Sequence, residues 1–344
     1  MHAELVDGEV RCPRSFVDRF HHPRSYGRVT AEGTLALQPA EAAHLLARGD
    51  LDVVETPEGA CDLAAFLAVT DAATAFVVYK DLRARGFYCS PTVAGYPGAT
   101  ADSGDLAVYP RGAGHADGTI DFTVTVCDDR AAVAPTELGE AVLGVVDEDA
   151  EVTYFAPERL ERPPQAATPE PPATPVPARL LPDRVLVDAV DSLGDPAAFY
   201  GQPLRGRDAT AGPLQLSLVE AGYLAAAGWL ALDAEAVTAT AAARIGPRYT
   251  QLAAAYAQLR AAGYVPKSGF KFGADFRVYP PTAEDPTATH SAELVHVRPA
   301  DDPIAIRELS LHVRLAGGVR KRMVFAFHTS NSNIQFISVK RLTP

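Results

Sequence analysis

Two stretches of the sequence, Tyr79–Tyr88 (YKDLRARGFY) and Tyr256–Tyr264 (YAQLRAAGY), are versions of one pattern, which indicates that the two halves of the chain are related. Each is typical of a helix that ends at a glycine. Three further matches keep the same order: Ser25-Tyr26-Gly27 with Phe199-Tyr200-Gly201, Leu37–Glu41 with Leu216–Glu220, and Asp105–Pro110 with Asp275–Pro280. A chance run of Ala and Leu can mimic one match, but four in register indicate an internal duplication at an offset of about 170 to 180 residues.

A proline-rich segment lies between the two copies. Seven prolines occur from Arg162 to Arg179, and such a segment lacks backbone donors and favours an extended polyproline conformation. We therefore expect a linker that spaces two bodies apart without joining either core. The predicted organisation is a first repeat over 1–161, the linker over 162–179, the N-terminal part of a second repeat over 180–254, and a sheet domain over 255–344.

Each half is predicted to be helical first and a mixed sheet second. Short amphipathic helices are expected over Glu41–Arg48 and Glu220–Ala227. The β-branched and aromatic runs predict strands over Phe276–Tyr279, Glu293–Val297, Met323–Phe327 and Ile334–Val339, with a helix over Ile304–Leu315. The predicted class is therefore mixed α/β (α+β), with two tandem repeats, each a small helical N-terminal part followed by a mixed α/β sheet domain.

Composition excludes several classes of protein. The chain of 344 residues is 47% hydrophobic and 22% charged, which argues against disorder, collagen or a coiled coil. No run of 18 apolar residues predicts a membrane span, and no signal pattern precedes Pro13, so a cytoplasmic protein is expected. The cysteines lie in the first half and form no CxxC pair, which favours buried reduced thiols over a disulfide frame or a zinc site; they are Cys12, Cys61, Cys89 and Cys127.

The charge is divided unevenly along the chain. Residues 256–344 hold 12 Lys and Arg against 7 Asp and Glu, a net charge of +5. Because the whole chain carries −12, residues 1–255 carry −17. One end of the molecule is therefore suited to face a polyanion.

Three residues in the last part of the chain have contexts unlike packing. Tyr279 ends a strand before Pro280-Pro281, so its hydroxyl is expected at a rim; His290 opens the next strand, and Lys321 lies between helix-ending glycines and a strand. Tyr, His and Lys suit RNA cleavage by the substrate's own 2'-hydroxyl. That reaction needs a base, an acid and a cation that stabilises the phosphorane, and it needs no metal.

Each of these residues also has a plainer interpretation. Tyr279 can be a packed edge tyrosine, and Lys321, beside Arg320 and Arg322, can be a solvated cation. His290 can be a loop histidine, and His296 is a rival acid, although its place inside a strand favours a structural role.

Three motifs resemble a known family. The segments Gly269–Tyr279, His290–Val297 and Val313–Lys321 closely resemble the catalytic motifs of the archaeal tRNA-splicing endonucleases. The resemblance implies a nuclease-like sheet domain with Tyr279 as general base, His290 as general acid and Lys321 as transition-state cation. It implies an endoribonuclease, a tRNA-intron lyase, that excises introns from precursor tRNA at bulge-helix-bulge sites. The expected products carry 2',3'-cyclic phosphate and 5'-hydroxyl ends, and no cofactor is implied.

The first half resembles a degenerate copy of the second. It keeps Tyr109, has no histidine in Ile120–Val126, and has no Lys or Arg from Ala131 to Glu158. The resemblance therefore implies a structural pseudo-subunit of the tandem type, in which two chains form a homodimer with two active sites. It also implies that an acidic loop docks on a basic pocket of the partner chain; its residues are Asp147, Glu148, Asp149 and Glu151.

Recognition of an unstacked base requires a flat cation or an aromatic ring. Arg314 lies seven residues before Lys321, where the family places one of two arginines that sandwich a bulge base. The second arginine is left open between Arg341 and another group. Arg320 and Arg322 complete the predicted RNA-binding set.

Two other functions remain open from the residues. A metal-dependent nuclease would need clustered carboxylates, and neither the carboxylates nor the histidines have ligand spacing, so no metal is predicted. A non-catalytic RNA-binding or assembly subunit would retain the fold without cleavage. We expect precursor tRNA as the partner, with no DNA and no membrane.

Overall fold

Both halves of the chain contribute strands to one ten-stranded sheet. The computed structural model describes residues 3–165, 171–189, 191–194, 198–206, 209–281, 290–329 and 333–344.

The first half alternates short helices and strands. Its helices are α1 (His22–Arg24), which continues a π-helical turn over Val17–His21, α2 (Pro39–Ala47), α3 (Leu63–Thr70) and α4 (Ala73–Ala84). Its strands are β1 (Glu4–Val6), β2 (Glu9–Cys12), β3 (Arg28–Val29), β4 (Leu35–Leu37), β5 (Val54–Thr56), β6 (Gly59–Cys61), β7 (Cys89–Pro91), β8 (Leu106–Val108), β9 (Phe122–Asp128), β10 (Ala132–Val133), β11 (Val142–Val146) and β12 (Val152–Leu160).

The second half follows the same plan. Its helices are α5 (Leu218–Ala226), α6 (Ala234–Ile245), α7 (Arg248–Ala261) and α8 (Ile306–Gly318), and a 3-10 turn covers Phe270–Phe272. Its strands are β13 (Ala178–Leu180), β14 (Arg184–Val187), β15 (Gln202–Pro203), β16 (Leu214–Ser217), β17 (Val265–Ser268), β18 (Phe276–Tyr279), β19 (Glu293–Pro299), β20 (Ile304–Ala305), β21 (Arg322–His328) and β22 (Ile334–Leu342).

The large sheet has a seam at its middle. Its order is β17-β18-β19-β21-β22-β12-β11-β9-β8-β7, so five strands come from each half. Strands β12 and β22 are antiparallel, with seven facing pairs from Tyr154–Leu342 to Leu160–Phe336. A two-stranded pair, β10 with β20, makes a second connection between the halves. The N-terminal parts form separate sheets of six strands (β3-β4-β2-β1-β5-β6) and four strands (β13-β14-β16-β15).

Helices cover both faces of the second half of the sheet. Successive side chains of a strand point to opposite faces, and in β21 Phe325 packs in the cluster that contains α8 whereas Val324 packs in the cluster that contains α7. Burial on both faces requires apolar residues at consecutive positions, which explains the run Met323–Phe327.

The duplication is reproduced at the level of individual contacts. The amide of Gly27 donates to the Glu41 carboxylate at 2.7 Å, and the amide of Gly201 donates to Glu220 at 3.0 Å. In the first half Arg83 lies 4.2 Å above the Tyr26 ring, and the equivalent pair, Arg260 above Tyr200, has the same distance of 4.2 Å. The predicted tandem repeat and the mixed α/β class are therefore confirmed.

Sequence-derived element boundaries differ from the structure at several helix ends. The helix predicted from Tyr256 begins at Arg248, and the one predicted from Tyr79 begins at Ala73. The helix predicted over Ile304–Leu315 begins at Ile306 because Ile304 and Ala305 pair with strand β10.

The expectation that the proline-rich segment joins neither core is wrong at both of its ends. Arg162 is buried and forms an ion pair with Glu293 at 2.6 Å. At the other end Val176 is buried in the core of the second half, and strand β13 follows it. Residues 166–170 lie outside the described residues.

The cysteines are four free, buried thiols, as predicted. Burial raises the pKa of the Cys12 and Cys89 thiols to about 12, so both are protonated near neutral pH.

Candidate active site

Three strand ends meet at one end of the second-half sheet. Val278 faces Glu293 in an antiparallel pair, and Glu293 faces Arg322 in a parallel pair. The Ala292 amide donates to the Val278 carbonyl at 2.9 Å, and the Arg322 amide donates to the Ala292 carbonyl at 2.9 Å. Residues 279, 290 and 321 are next to or within three positions of these paired residues, so the topology brings the three predicted catalytic positions to one end of the sheet.

Tyr279 lies at the end of β18 as predicted, but its side chain is not at an exposed rim. Only 3% of the residue is exposed, and its ring packs edge-on against Phe199 with ring centroids 5.7 Å apart. Phe199 lies two residues before Gly201 in the N-terminal part of the second half. Packing between this part and the sheet domain therefore covers the tyrosine. This burial fixes the position of the ring.

His290 is exposed and follows residues 282–289, which lie outside the described residues. The rival histidine, His296, lies six positions further along β19, which is roughly 20 Å of extended strand. Its ring is 3.8 Å from the ring of His312, and burial lowers the pKa of His296 to about 4. His296 is therefore a neutral packing residue away from the sheet end that holds Lys321.

Lys321 is held at the sheet end by two contacts. Its Nζ donates to the carbonyl of Ser291, which follows His290 in the chain. The same Nζ lies 5.5 Å from the centroid of the Phe272 ring. Partial burial lowers the pKa of Lys321, and the positive charges of Arg277 and Lys271 lower it further. The lysine is thus tethered beside His290 in a positively charged environment.

A cavity of about 420 Å³ lies between α8 and strands β12, β21 and β22. Its lining includes five cations: Arg314, Lys321, Arg322, Lys340 and Arg341. The structure therefore brings Arg341 to the same cavity as Arg314 and Lys321. Lys340 was missed by the sequence analysis, although its place beside Arg341 at the end of a strand was a usable signal.

Arg320 does not line this cavity. It adopts a left-handed backbone conformation, with φ at 56°, in the turn between α8 and Lys321, and it is exposed. The turn directs the chain from the helix into β21, and only Lys321 and Arg322 of the basic triplet line the cavity.

Comparison with known proteins agrees with this arrangement. A model of the catalytic C-terminal domain of tRNA intron endonucleases matches residues 251–336, and a model of their N-terminal domain matches residues 1–64 and 176–241. The chain belongs to the tRNA intron endonuclease family. A tRNA-splicing endonuclease of Haloferax volcanii is 48% identical over 100% of both chains, one of Natronomonas pharaonis is 45% identical over 100% of both, and one of Methanococcoides burtonii is 32% identical over 99% of both. Family membership places this chain among the tRNA-splicing endonucleases.

The N-terminal domain model matches twice, once in each half, in agreement with the duplicated contacts. The two strand registers identify equivalent positions at the sheet ends. By this count Tyr109 stands at the position of Tyr279, Thr119 at that of His290 and Gly139 at that of Lys321. A Cβ added to Gly139 would lie 2.8 Å from the Arg159 side chain, so that space is filled. The first half therefore retains the tyrosine but neither of the other two groups.

The predicted acidic loop is the turn between β11 and β12. Asp147 shapes it, because its carboxylate accepts the amides of Asp149 and Glu151 at 3.0 and 2.9 Å. Glu148 pairs within the chain, with Arg130 and with Arg307 of α8. Asp149 and Glu151 are exposed and have no ion pair among the described residues.

The described part of the chain contains neither a metal-binding cluster nor a membrane-spanning helix. There, no three His, Cys, Asp or Glu side chains are grouped so that they can hold a metal ion. No helix in this part is long and apolar enough to cross a membrane.

Proposed function

We propose that this protein excises introns from precursor tRNA at bulge-helix-bulge sites by a metal-independent attack of the RNA 2'-hydroxyl. The observation that carries the proposal is that Tyr279, His290 and Lys321 converge at one sheet end in the second half. The equivalent end of the first half lacks the histidine and the lysine. A tyrosine, a histidine and a lysine supply the base, the acid and the cation that this reaction requires.

The steps follow from these groups. The Tyr279 oxygen, acting as a phenolate, accepts the proton of the 2'-hydroxyl and becomes a phenol, while the 2'-oxygen attacks the adjacent phosphorus and forms a pentacoordinate phosphorane. Lys321 stabilises the additional negative charge on the phosphoryl oxygens. His290 then donates a proton to the departing 5'-oxygen, so that one fragment ends in a 2',3'-cyclic phosphate and the other in a 5'-hydroxyl. The reaction is that of a lyase with general acid and base, as in ribonuclease A.

Arg314 and Arg341 are proposed to hold a bulge base. A guanidinium is planar and stacks on a base, and two of them can contact its opposite faces. Both arginines line the cavity that contains Lys321, which supports a base site beside the reacting phosphate. Arg322 is proposed to contact the RNA backbone there. The prediction for Arg320 now rests on the sequence alone.

We further propose that the active form is a cytoplasmic homodimer. The acidic turn Asp147–Glu151 of one chain would dock on a basic pocket of the catalytic unit of its partner, steered by opposite charge. Because Asp147 and Glu148 have partners within the chain, Asp149 and Glu151 are the acids available for this contact. The domain boundaries at 161/162, 179/180 and 254/255 remain part of the proposal.

The first experiment is cleavage of an intron-containing precursor tRNA in excess EDTA, with chemical identification of both product ends. We expect cleavage to proceed and to yield cyclic phosphate and 5'-hydroxyl ends. Cleavage that stops in EDTA and returns with magnesium would refute the 2'-hydroxyl mechanism.

The substitution Lys321→Ala tests the assigned cation. We expect the single-turnover cleavage rate to fall by about 10²- to 10³-fold, as when one transition-state donor is removed from an enzyme, while the dissociation constant for the RNA changes little. Lys80→Ala is the matched control, because Lys80 is an exposed lysine of α4 in the first half. If the wild type and Lys321→Ala both bind the RNA and neither cleaves it, the protein is instead a non-catalytic subunit.

A further inference from the structure

Arg277 lies two residues before Tyr279 on β18, and its side chain lies beside the Tyr279 ring. Its guanidinium carbon is 6.0 Å from the centroid of the Tyr279 ring, and the side chain is half-buried. Its Nε is shielded from solvent and has no hydrogen-bond partner. Among the described residues Arg277 forms no ion pair, although unpaired arginines are seldom left partly buried.

The carboxylates nearest to Arg277 along the strands are already neutralised. Asp275, which immediately precedes β18, pairs with Arg248 at 2.9 Å. Glu293, on the neighbouring strand, pairs with Arg162 at 2.6 Å in a buried contact. These pairs leave no acid of β18 or of the start of β19 to compensate Arg277.

Two lysines share the region with Arg277. The Nζ atoms of Lys271 and Lys321 lie 4.8 and 5.5 Å from the centroid of the same ring, that of Phe272. Arg277 faces Leu294, and Leu294 faces Met323, two residues after Lys321, so Arg277 and Lys321 approach the same end of the sheet. In line with this register, the charge of Arg277 helps to lower the pKa of Lys321, after the larger effect of burial. Like charges held together without an acid are unfavourable unless an anion binds between them.

The first half provides an internal comparison. Strand register places Ala107 at the position of Arg277. Glycine replaces the equivalent of Lys321, as described above, whereas the buried Glu, Tyr and Arg of the N-terminal contacts are kept in both halves. The first half therefore keeps the scaffold contacts and the tyrosine but lacks the equivalents of Arg277, His290 and Lys321.

We propose that Arg277 binds the phosphate at the cleavage site together with Lys321, and that Lys271 binds an adjacent phosphate of the same RNA strand. This inference rests on the proposed function, because it assumes that the reacting phosphate lies at this sheet end. Arg277 presents a planar fork that can contact two phosphoryl oxygens at once, whereas a lysine acts as a point charge. Two cations on one phosphate match the two negative charges of the phosphorane.

The test is Arg277→Met, which keeps an unbranched chain against Tyr279 and removes the charge. We expect the single-turnover cleavage rate to fall by about 10- to 100-fold. We also expect the slope of the logarithm of RNA affinity against the logarithm of salt concentration to decrease by about 0.7 to 0.9, the change for one lost phosphate contact. Arg277→Lys should recover part of both quantities. The control Arg244→Met removes an exposed arginine of α6, and should change neither.

Each outcome has a definite meaning. If the wild type cleaves in EDTA with cyclic phosphate ends and Arg277→Met behaves as Arg244→Met does, the inference about Arg277 is overturned and the proposed function stands. If Arg277→Met lowers the melting temperature and the rate but leaves the salt slope unchanged, Arg277 is structural and the inference is again wrong. If the wild type itself fails to cleave in EDTA, the proposed function and the inference fall together.

Discussion

At the scale of single residues, Gly27 and Gly201 occupy equivalent positions in the two halves, and each has little space for a side chain. Gly27 has a positive φ of 61°, and a Cβ there would lie 2.3 Å from the Ala36 carbonyl oxygen. Gly201 has a φ of 65°, and a Cβ there would lie 2.5 Å from the Leu214 side chain and 3.0 Å from the Gln215 carbonyl oxygen. The backbone oxygen lies closer at Gly27 than at Gly201, where the closest contact is with a side chain, so the two positions differ in tolerance.

This difference predicts unequal effects of the same substitution. Gly27→Ala should lower the free energy of unfolding by about 2 to 5 kcal/mol, because a positive φ costs about 1 to 2 kcal/mol and overpacking about 1 to 3 kcal/mol. Gly201→Ala should cost less, and Gly49→Ala, with φ at 70° and no atom within 4 Å, about 1 to 2 kcal/mol. Urea unfolding measures all three, and equal losses would contradict the stated cause.

His44 gives a pH-dependent contribution to stability. It is buried, and its Nδ1 lies 2.7 Å from the Tyr26 hydroxyl. Burial lowers the pKa of His44 from 6.5 to about 4, so the folded protein keeps it neutral where the unfolded chain binds a proton. The contribution of His44 to the free energy of unfolding is therefore complete above pH 6.5. It is lost as the pH falls from 6.5 towards 4, by up to about 3 kcal/mol.

The substitution His44→Gln isolates this contribution. Glutamine retains an acceptor for Tyr26 but does not titrate, so the urea midpoint of the variant should depend less on pH than that of the wild type between pH 6.5 and 4. Glu41, whose pKa burial raises to about 7, is present in both proteins, and its opposite pH dependence cancels from the difference. Parallel pH curves for the two proteins would show that His44 does not titrate in this range.

At the scale of elements, sequence periodicity located four strands of the second half and the glycine-terminated helix ends. Strand β18 has the predicted bounds, Phe276–Tyr279, because turn residues flank a short β-branched run. Helix starts were placed too late, since the first turn of α7 is determined by its packing and not by a strong capping residue. The break at Ile304 could not be predicted, because strand β10 that pairs with it lies in the other half.

The candidate site was only partly predictable for the same reason. Motif order identified residues 279, 290 and 321, but the burial of Tyr279 depends on Phe199, which is distant in sequence. The grouping of Arg314 with Arg341 required knowledge that α8 and β22 border one cavity. Both features depend on contacts between residues that are distant in the chain, which a local sequence pattern does not reveal.

Helix α5 offers a test of local structure. The Ser217 hydroxyl accepts the Glu220 amide at 3.2 Å and caps the helix. Ser217→Ala should lower the free energy of unfolding by about 1 kcal/mol, whereas Ser217→Asp, which also caps helices, should restore most of it. Chemical denaturation gives both values, and an unchanged midpoint for the alanine variant would mean that packing alone holds the helix start.

At the scale of the whole molecule, the acidic turn makes a prediction about assembly. The double substitution Asp149→Asn and Glu151→Gln removes the two acids that have no ion pair within the chain among the described residues. The proposed dimer should dissociate into chains of 36.4 kDa, with loss of cleavage activity and little change in thermal stability. Analytical ultracentrifugation measures the mass.

A matched double variant, Glu32→Gln with Glu235→Gln, removes two exposed acids elsewhere and should leave the mass of the assembly unchanged. A dimer that survives the Asp149 and Glu151 changes would remove the acidic turn from the interface.

The seam between β12 and β22 also bears on how the chain is made. Strand β12 ends at Leu160, and the ribosome must add the whole second half before β22, which begins at Ile334, is available to pair with it. During that interval the nascent first half presents an open strand edge, and such edges recruit the wrong strands from neighbouring chains. Closing the seam spans a long loop and should be a late, slow event in folding. Joining two halves in one polypeptide thus sets the stoichiometry of the sheet while exposing its centre to mispairing during synthesis.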